Sequence, residues 1–173
     1  MARRAYSIPP AAAARPSGWR GVLLRLGGPT HAILRVGAGL LFVEHGVQKL
    51  FGLLGGFGGH PGATAPLGSL LGVAGILEFV GGLLLVVGFL TRPAALVLAG
   101  EMITAAVLVH LPRGGWPLEN GGELPLLYAV VFLFFVGNGA GPASIDSLVW
   151  PQRTEPPPRP LARPPFEPRR SGW

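Results

Sequence analysis

Four long apolar runs constrain what this chain can fold into. They cover about residues 31–52, 67–90, 93–111 and 124–141, and each approaches the roughly 20 residues that a helix needs to cross a bilayer. The segments between them are rich in Gly and Pro, which favour turns. With 49% hydrophobic residues, 13% charged residues and a mean hydropathy of +0.48, the chain is too apolar for an ordinary soluble domain. The pattern predicts an all-α fold, a four-helix transmembrane bundle.

The basic residues predict the orientation of this bundle. Arginines are concentrated before the first run, after the last run and at Arg92 in the turn between runs two and three, whereas the opposite loops carry Arg113. Because Lys and Arg favour cytoplasmic flanks, both termini are expected on the cytoplasmic side of the membrane. The net charge of +6 is then a topology signal. Nucleic-acid binding is not expected, because the arginines of the tails lack interleaved aromatic residues.

The same reading divides the chain into three parts. Residues 1–28 are expected to form a disordered basic tail, residues 31–148 the transmembrane domain, and residues 151–173 a Pro- and Arg-rich disordered tail. Close to the second tail, Ser144 or Asp146 is suited to cap a short helix. The chain has no cysteine, so it cannot perform thiol redox chemistry by itself.

Polar residues interrupt the first run in the segment GLLFVEHGVQKLFG. At about 100° per residue, Glu44, His45, Gln48 and Lys49 fall on one broad face of the helix. We expect this face to point inward, because an ionisable side chain that meets lipid at the helix centre costs about 2.5–3.5 kcal/mol.

The second and third runs each add one carboxylate. Glu78 shares a face with Gly68, Gly75 and Gly82, a spacing that allows close approach of a neighbouring helix, and Glu101 lies near the middle of the third run. Three carboxylates cannot all be ionised close together in a low dielectric. Glu44 or Glu78 is therefore expected to pair with Lys49 or His45, and the remaining carboxyl is expected to be neutral. Interhelical hydrogen bonding alone is the alternative explanation for these residues.

Other polar residues are expected to have structural roles. His110 falls opposite Glu101 on an uninterrupted helix, so we expect it to pack or to lie at the interface. Arg35 is expected to extend to lipid headgroups. Three Glu and one His are suitable ligands for iron or manganese, but no Glu-x-x-His pair is present, and no metal site is predicted.

Four motifs occur in an order that resembles a known family. They are HGVQKLFG, GILEFVGGLLLVVGFLTRPAA, LVHLPRGGWPLENGGELPLLY and GPASIDSL, and over about residues 31–148 the chain resembles the DoxX family of small bacterial integral membrane proteins. That family is similar to the small membrane subunit of a thiosulfate:quinone oxidoreductase, and some members are linked to membrane complexes that handle oxidative and thiol stress. By resemblance, the family's motif positions fall on His45, Lys49, Glu78, Asn120 to Glu123, and Asp146.

The resemblance implies a quinone-linked redox subunit. A cleft between the first three helices would hold the quinone, with Glu44, His45, Lys49, Glu78 and Glu101 as catalytic candidates. Three further residues, Gln48, Gly82 and Tyr128, are candidates for binding the cofactor. Electrons would come from a soluble or membrane partner subunit, since no haem, flavin or iron–sulfur motif is visible. The lipid bilayer and a second copy of the chain are the other expected partners. A non-enzymatic scaffold remains the main alternative. A proton-coupled carrier is a third hypothesis, but four helices in one chain are few for alternating access unless the protein oligomerises.

Overall fold

The computed structural model describes residues 18–151, and all regular structure in that range is helical. The long helices are α1 (Trp19–Phe51), α2 (Leu70–Val87), α3 (Thr91–Ala105) and α5 (Glu123–Asn138). A π turn (Ala106–His110) and a 3-10 turn (Leu111–Arg113) continue α3, and the short elements are a 3-10 turn (Phe57–Gly59), α4 (Pro117–Asn120) and α6 (Ile145–Val149).

The helical lengths confirm the all-α prediction. Three segments, Gly21–Phe51, Leu70–Val87 and Thr91–Arg113, are long and apolar enough to cross a membrane, whereas the apolar helix α5 has only 16 residues. At about 1.5 Å per residue, α5 is roughly 24 Å long, somewhat less than the ~30 Å hydrocarbon core. The exact number of spans therefore stays a prediction.

Helix α1 begins well before the predicted first span. It starts at Trp19 and continues through Pro29, so the part of the predicted tail between 19 and 28 is helical, and the prediction of a disordered tail was wrong there. Proline removes one backbone donor from a helix, but α1 continues past Pro29 without a break. In the same turn, the Thr30 hydroxyl donates a hydrogen bond of 2.8 Å to the Leu26 carbonyl. The rest of both predicted tails, residues 1–17 and 152–173, lies outside the described residues.

Glycines allow α1 and α2 to pack closely. A Cβ added to Gly82 would come within 2.8 Å of the Gly39 carbonyl oxygen, and one added to Gly75 would come within 3.0 Å of the Lys49 Cβ. These contacts confirm the close approach predicted from the glycine spacing, although the space around Gly68 is open. The α1–α2 contact fixes which side of α1 faces the bundle.

An aromatic and aliphatic core joins α1 and α3 to α5. Phe42 of α1 packs edge-on against Tyr128 and Phe132 of α5, with ring centroids 4.9 Å and 4.7 Å apart. Leu98 of α3 and Phe135 of α5 are buried in the same cluster. Burying such side chains typically contributes about 1.5–3 kcal/mol each in water. The four long helices thus form one bundle.

A hydrogen-bonded clasp closes one end of the bundle. The Arg35 guanidinium is 1% exposed and donates to the carbonyls of Leu85 and Val86 at the end of α2 and to that of Ala143. The prediction that Arg35 extends to headgroups was wrong, because backbone carbonyls at the end of α2 and at Ala143 bind its guanidinium inside the fold.

The acidic partner of this clasp is Asp146. Its carboxylate accepts hydrogen bonds from the backbone N–H groups of Leu90 (2.8 Å) and Thr91 (2.9 Å), where α3 begins. Ser144 caps α6 by accepting from the Ser147 N–H at 3.2 Å, as the sequence predicted. Asp146 therefore caps the start of α3 and not α6, the helix in which it lies.

Candidate functional site

An ion pair joins α1 to α2 inside the bundle. The Lys49 ammonium, in the last turn of α1, donates to Oε1 of Glu78 in the middle of α2. The Glu78 side chain is 4% exposed and that of Lys49 is 18% exposed. This is one of the pairings expected from the sequence. The second oxygen of Glu78, Oε2, is buried and has no hydrogen-bond partner among the described residues.

Glu101 of α3 is the second buried carboxyl group. Both of its oxygens are buried, and neither has a hydrogen-bond partner within residues 18–151. Buried polar atoms in proteins are nearly always hydrogen-bonded, and each exception calls for an explanation. Together with Oε2 of Glu78, three buried carboxyl oxygens have unused hydrogen-bonding capacity.

Both carboxyl groups line one cavity of about 520 Å³, bounded by α1, α2, α3 and α5. Its walls are mostly apolar. The polar and aromatic residues among them are Phe42, His45, Lys49, Glu78, Glu101, Thr104, His110 and Tyr128. Sites for small organic molecules usually have 300–1,000 Å³ of space and apolar walls with a few fixed polar groups. The cavity has the size and composition of such a site.

Several residues that line the cavity are also exposed on the outside of the bundle, among them Leu71 and Val73 of α2, Val97 of α3 and Leu108 of the π turn. Their positions indicate an opening between α2 and α3. Apart from Thr104, the exposed side chains at this opening are apolar. An apolar molecule can therefore enter the cavity from the apolar flank of the bundle.

The structure brings five of the predicted site residues to this cavity. His45, Lys49, Glu78, Glu101 and Tyr128 all line it. The His45 ring lies edge-on to those of Phe42 and Tyr128, with centroids 6.2 Å and 6.4 Å apart. The predicted residues of α2, α3 and α5 thus face those of α1.

Three other predicted site residues lie outside the cavity. Glu44 is exposed. The Gln48 side chain donates a hydrogen bond of 3.2 Å to the Leu54 carbonyl, and Gly82 packs against Gly39 of α1. The polar face of α1 is broad, and Glu44 lies about 100° around the helix from His45. The interior lies on the His45 side, because the close α1–α2 crossing fixes the rotation of α1. The prediction that the whole polar face points inward was therefore wrong for Glu44.

Sequence reasoning missed His110 as a residue of the cavity. An uninterrupted α-helix would place it about 180° from Glu101, nine residues earlier. The π turn Ala106–His110 adds a residue to one turn and shifts the following side chains by about 100°. His110 therefore lines the same cavity as Glu101. A signal for this irregularity is Pro112, whose ring disfavours regular helix over the preceding turn.

No group of three or more His, Asp or Glu side chains suited to hold a metal ion occurs between residues 18 and 151. The carboxyl groups of the cavity approach one another from separate helices, and Lys49 already binds one of them.

The fold and the cavity define a small helical protein whose helices can cross a membrane and which buries a charged cluster beside an apolar cavity. The sequence profile of the DoxX family matches residues 30–111, and the chain belongs to the DoxX family. This family assignment confirms the resemblance found in the motifs.

Three relatives match the chain in sequence, and one of them is described as a membrane protein. An uncharacterised protein of Haemophilus influenzae is 40% identical over 119 residues, covering 67% of this chain and 87% of the relative. A second uncharacterised protein of that organism is 38% identical over 72 residues, covering 42% of this chain and 48% of the relative. The uncharacterised membrane protein Rv3486 of Mycobacterium tuberculosis is 29% identical over 150 residues, covering 77% of this chain and 88% of the relative. No solved structure matches the chain significantly.

Proposed function

We propose that this protein is the membrane subunit of a quinone-linked redox complex and that its cavity binds the quinone head group. The observation that supports this most directly is the cavity of about 520 Å³, which combines apolar walls, unpaired carboxyl oxygens and an opening on the apolar flank of the bundle. A quinone is a lipid-soluble ring with two polar oxygens. It requires an apolar cavity with a few hydrogen-bonding groups.

The polar residues of the cavity suit both redox forms of such a ligand. The Lys49 ammonium, the Tyr128 hydroxyl and a protonated Glu101 can donate hydrogen bonds to carbonyl oxygens. The unpaired oxygens of Glu78 and Glu101 can accept hydrogen bonds from hydroxyl groups. These residues would bind the ring and transfer protons at its oxygens, as general acids and bases do. Bound quinone supplies the electron acceptor, and a partner subunit supplies the electrons.

The proposal includes a bacterial inner-membrane topology with four spans and two cytoplasmic termini. Helix α5 is short, but it is apolar and packs along α3 through buried Phe132 and Phe135. A short span is accommodated by local thinning of the bilayer at modest cost. The four-span topology would place the opening of the cavity within the hydrocarbon region.

Labelling of introduced cysteines tests this topology, because the chain has no cysteine of its own. In three separate variants, Ser17→Cys and Ser171→Cys are expected to react with a membrane-impermeant maleimide only in inverted vesicles, and Gly115→Cys only in intact cells. If α5 does not cross the membrane, Ser17 and Ser171 will label from opposite sides.

Quinone binding tests the function. Binding of a short-chain ubiquinone or menaquinone is measured in detergent or nanodiscs, with excess unlabelled quinone to subtract partitioning into lipid. The Glu101→Leu variant should bind more weakly, because leucine can neither donate nor accept a hydrogen bond. It should keep its unfolding temperature, because Glu101 has no hydrogen-bond partner within the described residues. The Glu44→Leu variant is the matched control and should bind as the wild type does, since Glu44 is exposed outside the cavity.

The Lys49–Glu78 ion pair favours the second candidate, a non-enzymatic scaffold, because it links α1 to α2 regardless of any ligand. A scaffold predicts no saturable binding by the wild type. It also predicts that Glu78→Gln lowers the unfolding temperature while Glu101→Leu has little effect on any measured property.

A further inference from the structure

His110 lies at the end of the cavity where α3 gives way to the loop before α5. The π turn that brings it there is followed within three residues by a 3-10 turn, so the chain departs from regular helix at this position. Such π turns are frequent at functional sites. His110 lines the cavity together with Gly121 and Leu124 from the opposite side of the loop.

The loop before α5 fixes the orientation of the imidazole ring. Nδ1 of His110 lies 2.9 Å from the backbone carbonyl oxygen of Asn120. Because a carbonyl oxygen only accepts hydrogen bonds, Nδ1 must carry the proton. In the neutral ring, Nε2 then holds a free lone pair and acts as an acceptor.

Asn120 is itself held rigidly. It is 8% exposed. Its side-chain amide donates a hydrogen bond of 2.7 Å to the Gly114 carbonyl, and its Oδ1 accepts a hydrogen bond of 2.7 Å from the Gly122 N–H. A Cβ on Gly122 would come within 2.6 Å of this Oδ1 and within 3.3 Å of the His110 Cβ. The segment Asn120 to Gly122 thus requires a glycine for its close approach to His110. A histidine held in one tautomer by a buried loop is suited to bind a ligand.

We propose that His110 is a ligand-binding residue of the cavity and that its Nε2 accepts a hydrogen bond from a hydroxyl group of the bound ring. The inference rests on the proposed quinone-linked function and adds a preference to it. An acceptor pairs with the hydroxyl of a quinol and repels the carbonyl oxygen of a quinone. His110 therefore favours binding of the reduced, hydroxyl-bearing form.

Binding of the two redox forms to matched variants tests this preference. Affinities for a short-chain quinol, kept reduced under anaerobic conditions, and for the matching quinone are compared in the wild type, His110→Phe and His110→Gln. Phenylalanine keeps a ring and removes the acceptor, whereas glutamine restores an acceptor near the position of Nε2. His60→Leu is the control, since His60 is exposed in the loop after α1 and lies outside the cavity.

The expected result is selective. His110→Phe should lose about tenfold in quinol affinity, the size of one good hydrogen bond, and should change quinone affinity less than about twofold. His110→Gln should recover most of the loss. If His110→Phe changes the affinity for both forms equally, or leaves the quinol affinity unchanged, the role of His110 is overturned and the proposed function still stands. If the wild type binds neither form, both proposals fail.

The wild-type protein offers a second test that does not depend on a variant's folding. The nitrogen-15 spectrum of histidine-labelled protein should show a protonated Nδ1 and an unprotonated Nε2 for His110, assigned by the signal lost in His110→Gln. Addition of quinol should shift the Nε2 resonance, and addition of quinone should not. A proton on Nε2 in the ligand-free protein would contradict the inference.

Discussion

The Lys49–Glu78 ion pair provides the sharpest test of how the buried charges affect stability. Replacing Lys49 with Met keeps most of the aliphatic stem, which packs against Gly75, and removes the ammonium. Glu78, 4% exposed, would then have no partner at either oxygen within the described residues. Removing one partner of a buried pair costs about 3–5 kcal/mol. We expect about 3 kcal/mol here, because Lys49 is partly exposed.

The Glu78→Gln background separates the charge from the packing. An amide is neutral, so Lys49→Met should cost less than about 1 kcal/mol there, and the coupling energy of the double-mutant cycle should be about 2 kcal/mol. Equilibrium unfolding in mixed detergent micelles with increasing sodium dodecyl sulfate can be followed by the fluorescence of the four tryptophans. A coupling energy below about 0.5 kcal/mol would refute the reasoning that this pair is an energetic unit.

Three further substitutions and one control test the packing and the clasp, each by the same unfolding measurement. Gly82→Ala should destabilise the protein by about 1–3 kcal/mol, because the added methyl group meets the Gly39 carbonyl, whereas Gly100→Ala, in open space, should be neutral or stabilising. Asp146→Ala should cost about 1–2 kcal/mol, since two N–H groups at the start of α3 lose their acceptor; no change would mean that water replaces the cap. Arg35→Met should destabilise the protein by at least about 2 kcal/mol, because three backbone carbonyls lose a charged hydrogen-bond donor, and a wild-type stability would contradict the clasp.

The sequence predicted the helices well because span length and apolar composition are local properties. It failed at the beginning of α1, where residues 19–28 were predicted to belong to a disordered tail but are helical. A proline costs about 3 kcal/mol inside a helix, but the chain around Pro29 remains helical in the structure. Whether a helix continues through a proline depends on the fold around it, so residue type alone does not decide it.

The candidate site was predicted in part for a different reason. Periodicity gives the angles between residues on one helix, which is why His45 and Lys49 were grouped correctly. It does not give the rotation of that helix in the bundle, which the glycine contact between Gly39 and Gly82 sets. Glu44 was therefore misplaced. His110 was missed because the π turn contains more residues per turn than an α-helix, whereas the predicted angles assume 3.6 residues per turn throughout.

The clasp formed by Arg35 and Asp146 makes the bundle mechanically asymmetric. It holds α2 and α3 together at the tight turn between them, whereas the cavity opens between the two helices some distance from that turn. Helix α2 is 18 residues long, about 27 Å, so a rotation of about 5° at the turn would separate the far ends by roughly 2 Å. Because close contacts and the Lys49–Glu78 ion pair hold α2 to α1, such a movement would shift α3 and not α2. A wider ligand would then require a displacement only at the end far from the turn, and the hydrogen bonds at the turn would stay intact.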